Sequence, residues 1–191
     1  MIVSLKNIYK SFDSKKIFED FSLEIKKREK IAIIGETGSG KTTLVNLILK
    51  NIKPDKGRVY VTDSLSIAFQ ENRLLEDFTV LENLKIVKQM SQSECNKYLE
   101  SMNLNGNSDT LVKNLSGGMK RRLSLLRALI FPSELLILDE AVREIDSNTR
   151  EIILKNIKTY SKDRALIYIT HEKEDIQKLS IERIINLDDL I

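Results

Sequence analysis

The stretch Gly35-Glu36-Thr37-Gly38-Ser39-Gly40-Lys41-Thr42-Thr43 constrains this chain more than any other. It satisfies G-x-x-x-x-G-K-[ST], the pattern of a phosphate-binding loop. Glycines there let backbone N–H groups turn inward around phosphate oxygens with no Cβ in the way. Lys41 can reach β- and γ-phosphates, and Thr42 supplies a hydroxyl for Mg²⁺. The flanks agree with the motif. Ile31-Ala32-Ile33-Ile34 is a short apolar run that reads as a buried strand, and Thr42 to Leu49 reads as a helix whose N-terminus faces the phosphates. An ordinary glycine-rich turn is the bland alternative, and a strand before with a helix after speaks against it.

The rest of the chain has to build a core around that loop. Its 191 residues, 41% hydrophobic and 31% charged, suffice for one folded unit. The net charge is +3 and the basic residues are dispersed, which argues for no nucleic-acid partner. The cluster Lys120-Arg121-Arg122 reads as a solvated face or a helix end. A single cysteine, Cys95, excludes an internal disulfide and fits a reducing compartment. No apolar run is long enough to span a bilayer, and Met1 to Lys6 lacks a signal-peptide pattern. The expected location is therefore the cytoplasm, with membrane association only through a partner.

Two textures run along the sequence. Alternation at Phe21, Leu23, Ile25, then Val59, Val61, then Leu65, Ile67, Phe69 predicts half-buried antiparallel strands. Pro54-Asp55-Lys56-Gly57 predicts a turn. From Glu71 to Phe131 the pattern is mainly helical, with helices expected over Val80–Met90, Ser93–Met102 and Met119–Ile130. Strands at Leu135–Leu138, Ala165–Thr170 and Ile184–Leu187 then alternate with a helix at Thr149–Tyr160, which predicts a mainly parallel sheet.

Leu135-Leu136-Ile137-Leu138-Asp139-Glu140 places two carboxylates at the end of a fully apolar strand. Such a strand belongs in the centre of a parallel sheet, and ligands bind outside the carboxyl ends of such strands. Asp139 is suited to hold Mg²⁺, through water, and Glu140 to act on an attacking water as base or orienter. Taken alone, the pair also fits a strand end running into a solvated acidic turn. Leu115-Ser116-Gly117-Gly118-Met119 opens a second helix with an anion-binding type of start. Its alternative is a serine N-cap followed by two flexible glycines.

These three motifs, in this order, resemble the ATP-binding subunit of ABC transporters, and the resemblance covers essentially the whole chain. It implies an α/β P-loop NTPase with a mainly parallel core, an N-terminal antiparallel β subdomain and a helical subdomain. Residues 1–191 would then form a single ABC ATPase domain, with 1–70 and 133–191 as the nucleotide-binding core and 71–132 as the helical part. Gln70 matches the family's Q-loop glutamine, Leu115 to Met119 its signature, Asp146 its D-loop aspartate and His171, the sole histidine, its switch histidine. Phe12 matches the aromatic that stacks on adenine, with Tyr9 as runner-up. The implied activity is hydrolysis of ATP with Mg²⁺ held by Thr42, Gln70 and Asp139, and with Glu140, His171 and Gln70 in catalysis. Two domains pair head to tail, as a homodimer or with a homologous cassette, so that Ser116, Gly117 and Gly118 of one copy close over the ATP of the other.

The implied partners are transmembrane permease subunits, which hold the chain on the inner face of the cell membrane. The stretches Phe69 to Leu75 and Thr79 to Leu84, with Met119 and the basic residues Lys120 to Arg122 that follow it, resemble the nitrate, sulfonate and taurine importer branch, which adds an external solute-binding protein. Leu74, Leu75 and Phe78 form either a docking groove for a permease helix or part of the core. An ABC exporter subunit, or an ATP-dependent dimerising scaffold, is the alternative. The sequence departs from the family pattern at Ala141, where Pro is usual, at Arg143 and Glu144, where small residues are usual, and at Arg28, where Gly is usual.

Overall fold

The computed structural model describes residues 1–143 and 145–190. Its centre is a five-stranded parallel sheet of β3 (Lys30–Ile34), β5 (Leu65–Ala68), β6 (Leu135–Asp139), β7 (Ala165–Ile169) and β8 (Arg183–Asn186), in the order β5-β6-β7-β3-β8. A second, antiparallel sheet holds β1 (Val3–Phe12), β2 (Lys15–Ile25) and β4 (Lys56–Val61), with β1 in the middle. The helices are α1 (Lys41–Ile48), α2 (Val80–Lys85), α3 (Gln92–Ser101), α4 (Gly117–Ile130), α5 (Ser147–Tyr160) and α6 (Lys173–Lys178). This is an α/β P-loop NTPase fold with an antiparallel N-terminal subdomain and a helical subdomain.

The apolar strand β6 shows how the layers are made. Successive side chains point to opposite faces. Leu135 and Ile137 enter the core shared with α1 and the antiparallel sheet, where they meet Leu44, Leu47, Leu5 and Ile25. Leu136 and Leu138 enter the other core, with Leu123 and Leu126 of α4, Ile153 and Ile157 of α5, and Leu99 of α3. All four are fully buried, each contributing about 1.5–3 kcal/mol. With both faces covered, the strand's free carboxyl end is the one place left for polar groups. β3, β6 and β7 run parallel and in register, so the phosphate loop, Asp139-Glu140 and Thr170-His171 all leave the sheet at one edge.

Several expectations change. β5 pairs parallel with β6 and not antiparallel. Its alternation is also inverted: Ser66 and Ala68 are the buried residues, while Leu65 and Ile67 are only partly covered. A strand at the sheet edge is sheltered unevenly, and Ser66 satisfies its hydroxyl against Ser133 Oγ at 2.8 Å. The helix expected over Val80–Met90 ends at Lys85. Met90 still reaches the core, but from a turn that hands the chain to α3, where Lys88 donates to Glu94 at 2.9 Å. β4 begins at Lys56, inside the predicted turn. Short α6 was not expected, because Ile176 is the only aliphatic residue among its six. Glu144, one of the two charged D-loop departures, lies outside the described residues. Among the described residues, no helix is long and apolar enough to cross a membrane.

Candidate functional site

The phosphate loop joins β3 to α1. Gly40 is the residue before the helix, with φ of 100°, a conformation that side-chain-bearing residues rarely adopt. A Cβ there would lie 2.7 Å from Ile17 Cγ2. The loop thus packs against β2 at the point where it turns. α1 has no side-chain cap and no acidic residue in its first turn, so its N-terminal amides stay available to an anion. Lys41 Nζ donates to the carbonyls of Gly35 at 2.6 Å and Glu36 at 2.8 Å, which folds the ammonium over its own loop. Lys15 Nζ reaches the Gly38 carbonyl from β2 at 3.2 Å. On the outer side, the Glu36 amide donates to both Asp188 carboxylate oxygens at 3.0 Å.

The end of β6 supplies the acids. Burial pushes the Asp139 carboxyl above the usual carboxylate range, the Glu140 charge adds to the shift, and Lys41 pulls it back. A carboxyl short of positive charge is what a cation would complete. Ser39 Oγ is buried with no hydrogen-bond partner among the described residues, a polar atom left open in the same loop. Among the described residues, no three His, Cys, Asp or Glu side chains gather into a dedicated cage. Mg²⁺ commonly takes one or two carboxylates together with substrate phosphates, so Asp139 with the Thr42 hydroxyl fits that ion.

Glu140 carries φ of 48°, uncommon for a residue with a side chain. Its amide donates to the Ile169 carbonyl at 3.0 Å, which ties the end of β6 to β7. That tie brings the carboxylate opposite the histidine that follows β7. His171 Nε2 lies 3.1 Å from Glu140 Oε1, and Arg143 Nη1 donates to Glu140 Oε2 at 3.0 Å. Nearby, Arg150 grips Asp175 through two hydrogen bonds of 2.9 Å, and Tyr168 donates its hydroxyl to Asp175 Oδ2 at 2.6 Å. Burial raises the Tyr168 phenol far above its usual range, and the Asp175 charge reinforces this. The three residues clamp α5, β7 and α6 together beside the cleft that His171 also borders.

These groups surround a cleft of about 730 Å³, bordered by Lys41, Thr42, Gln70, Glu140 and His171. Thr37, Gly38, Gly40 and Thr43 line it as well. Sequence reasoning missed Lys15, Ile17, Arg150, Tyr168 and Asp175 as neighbours of the cleft, because each comes from an element whose approach depends on tertiary packing. Gln70 is exposed at the loop after β5, and its carbonyl accepts from Arg121 Nη1, as does the Phe69 carbonyl at 3.2 Å. The basic cluster at 120–122 is therefore no simple solvated face, since Lys120 also pairs with Glu76 at 2.8 Å.

Other expected site residues stand elsewhere. Phe12 is the last residue of β1, is 47% exposed, and lies off the cleft lining with the Lys10 ammonium 5.2 Å from its ring centre. Ser116 caps α4, accepting from the Met119 amide at 3.3 Å, and Leu115 is buried. Leu115, Ser116, Gly117, Gly118 and Met119 do not border the cleft of their own copy. Asp146 caps α5, and the hydrogen bonds from Thr149 hold its carboxyl below the usual range. Leu75 and Phe78 are 43% and 46% exposed, so neither is a core residue, whereas Leu74 packs against the core.

A phosphate loop, a strand-end Asp-Glu pair and a facing histidine at one edge of a parallel sheet define a nucleotide-hydrolysing P-loop class. The ABC transporter family model matches residues 18–143, and the chain belongs to this family. It is 32% identical to a spermidine/putrescine import ATP-binding protein of Fusobacterium nucleatum, over 93% of this chain and 53% of that protein. It is 31% identical to a Nod factor export ATP-binding protein of Bradyrhizobium diazoefficiens, over 94% of this chain and 65% of that one. The chain thus spans about half to two thirds of the length of these relatives. A solved dimeric ATP-binding cassette in a post-hydrolysis state, with ADP and phosphate bound, superposes with a TM-score of 0.83 at 26% identity, covering 97% of this chain and 94% of that one.

Proposed function

We propose that this chain binds MgATP and hydrolyses it as the motor subunit of an ABC transporter, with residues 1–191 working as one ATPase domain. The observation that carries the reading is the Glu140 carboxylate held 3.1 Å from His171 across two strand ends, facing the cleft that Lys41 borders. Substrate phosphates would draw Lys41 off its own loop carbonyls and engage the bare N-terminus of α1. Thr42, Asp139 and Gln70 would hold Mg²⁺, which supplies charge neutralisation at the β- and γ-phosphates. Glu140 would take the proton of the attacking water, His171 would meet the charge that develops on the γ-phosphate, and Gln70 would report that state to the helical part.

Glu140→Gln tests this directly. It should keep MgATP binding, lower turnover by ~10²–10⁴-fold, and let ATP hold two copies together. Turnover near the parent rate would defeat the assignment. Phe12 is our proposal for the adenine platform. Phe12→Ala should weaken ATP binding by ~1–3 kcal/mol, whereas loss of affinity in Tyr9→Ala alone would transfer the role.

The other half of the site would come from a second copy or a homologous cassette, through Ser116, Gly117 and Gly118. The exposed Leu75 and Phe78 would dock a permease helix and hold the chain at the inner membrane face. On direction, our reading is an importer fed by an external binding protein, resting on the stretches Phe69 to Leu75 and Thr79 to Leu84 and on Met119 with the basic residues after it. The relative named for export supports the opposite direction equally well. Leu75→Asp and Phe78→Asp should release the permease while sparing ATP binding, and the solute flux of the captured permease decides between import and export.

A further inference from the structure

We propose that Arg143 is a latch on Glu140: in a single open copy it occupies the carboxylate that must serve the attacking water, and it has to let go before hydrolysis. The inference rests on the role assigned to Glu140 above. Where the resemblance leads one to expect a small side chain, this chain carries a guanidinium within a turn of the catalytic acid. The left-handed backbone of Glu140 and the bond from the Arg143 amide to the Glu140 carbonyl at 3.2 Å close that turn. Arg143 Nη1 then donates to Oε2 at 3.0 Å, while His171 Nε2 lies at 3.1 Å from Oε1. Both oxygens are therefore engaged before any water arrives.

The two donors differ in what would remove them. His171 sits where a γ-phosphate could claim it. Arg143 reaches Glu140 from the turn that follows β6, and it borders the same cleft. The pair is also lopsided: the Glu140 side chain is 11% exposed and that of Arg143 56%. The arginine can swing into water with little desolvation, whereas the glutamate cannot follow it. Under the two-copy reading, the turn that carries Arg143 faces the partner, so approach of the second copy is the event placed to draw Arg143 away. Arg143 is in this sense a positioning residue that acts through Glu140.

The experiment uses the full chain with Arg143→Ala, Arg143→Gln and Arg143→Lys. An ion pair of this exposure is worth up to about 1 kcal/mol, so its loss should raise kcat by about fivefold. KM for ATP should change less than about twofold, since the arginine holds Glu140 and not the nucleotide. Arg143→Lys, which keeps the charge, should bring the rate back toward the parent's. A second readout needs no nucleotide: His171 is the only histidine, so its labelled imidazole gives one resonance, which should shift in Arg143→Ala and Arg143→Gln and stay near the parent position in Arg143→Lys. Should Arg143→Ala fail to fold, the Gln variant carries both measurements. An unchanged or lowered kcat, or an unmoved His171 resonance, overturns the latch. Loss of turnover in Glu140→Gln with an unchanged rate in Arg143→Ala defeats the latch alone, while parent-rate turnover in Glu140→Gln defeats both readings.

Discussion

Two helices of this molecule begin on glycine-rich, anion-binding types of sequence, and they are built in opposite ways. α1 starts from Gly40 at φ of 100°, pressed against Ile17, with Lys41 beside it and no side-chain cap. α4 starts from Ser116, which caps its own helix, and a Cβ added at Gly117 or Gly118 would meet nothing within 4 Å. The first start is packed and strained around a space for phosphate. The second is relaxed and bordered by open space. A site complete within one copy would have no need of the second arrangement. An open glycine face becomes a phosphate site only when something else carries the phosphate to it, which is the physical content of the two-copy proposal.

Lys41 carries the largest expected difference between the two helix starts. Lys41→Ala removes the ammonium nearest the phosphate space, and charge-assisted bonds of this kind are worth ~1.5–3 kcal/mol each. Two of them imply a loss of ATP affinity of about a hundredfold or more, read by nucleotide titration, with folding retained. Substituting Lys120 at the α4 start should leave single-copy affinity alone, and equal losses at both starts would erase the distinction.

Matched glycine substitutions sharpen it next. Gly40→Ala forces a side chain into a left-handed backbone and onto Ile17, at a cost of about 1–3 kcal/mol in stability. Gly117→Ala meets nothing and exchanges glycine for a better helix former, so stability should hold or rise, by up to ~1 kcal/mol. Its ATP binding as a single copy should be unchanged while turnover falls, because the added methyl stands on the face proposed to meet the partner's ATP. A fully active Gly117→Ala would remove the reason for calling that face functional.

The smallest effect belongs to a third helix start. α2 closes a capping box, with Thr79 accepting from the Glu82 amide at 3.2 Å and Glu82 accepting from the Thr79 amide at 2.7 Å. Thr79→Ala should lower stability by about 1 kcal/mol and leave ATP binding untouched. The bond from the Thr79 amide, joined by a second that the Thr79 hydroxyl donates to Glu82 Oε2 at 2.8 Å, holds the Glu82 carboxyl below its ordinary value. A depressed folded-state value means that its stabilisation is present above the unfolded pKa and is lost as pH falls through the lower folded one. Thermal melts at decreasing pH should therefore show the gap between Thr79→Ala and the parent narrow without closing, since the bond that Thr79 Oγ1 accepts from the Glu82 amide does not titrate.

Much of this was legible in the residues because it rests on local rules. The phosphate loop lies between an apolar run and a helical pattern, and both formed within a residue or two of the expected bounds. Asp139 and Glu140 follow four apolar residues that need cover on both faces, which leaves the strand's end for chemistry. The β5 direction was not legible. Alternation reports one covered face but not the strand's neighbour, and Leu65 and Ile67 turned out to be the less buried set. α6 carried one buried aliphatic residue and so no period to detect.

Local patterning determined which residues carry chemistry, since backbone conformation, glycine content and side-chain type act over a few positions. Tertiary structure decided which of them meet. Glu140 and His171 are 31 residues apart and touch because β6 and β7 are parallel neighbours. Arg150, Tyr168 and Asp175 lock together only once α5 and α6 pack on the sheet. Phe12 and the signature residues, whose types announced them as plainly as any, were left outside the cleft of their own copy. The reason is that side-chain chemistry is written residue by residue, whereas a contact depends on burying the faces of two whole elements together, and that free energy is summed over the core.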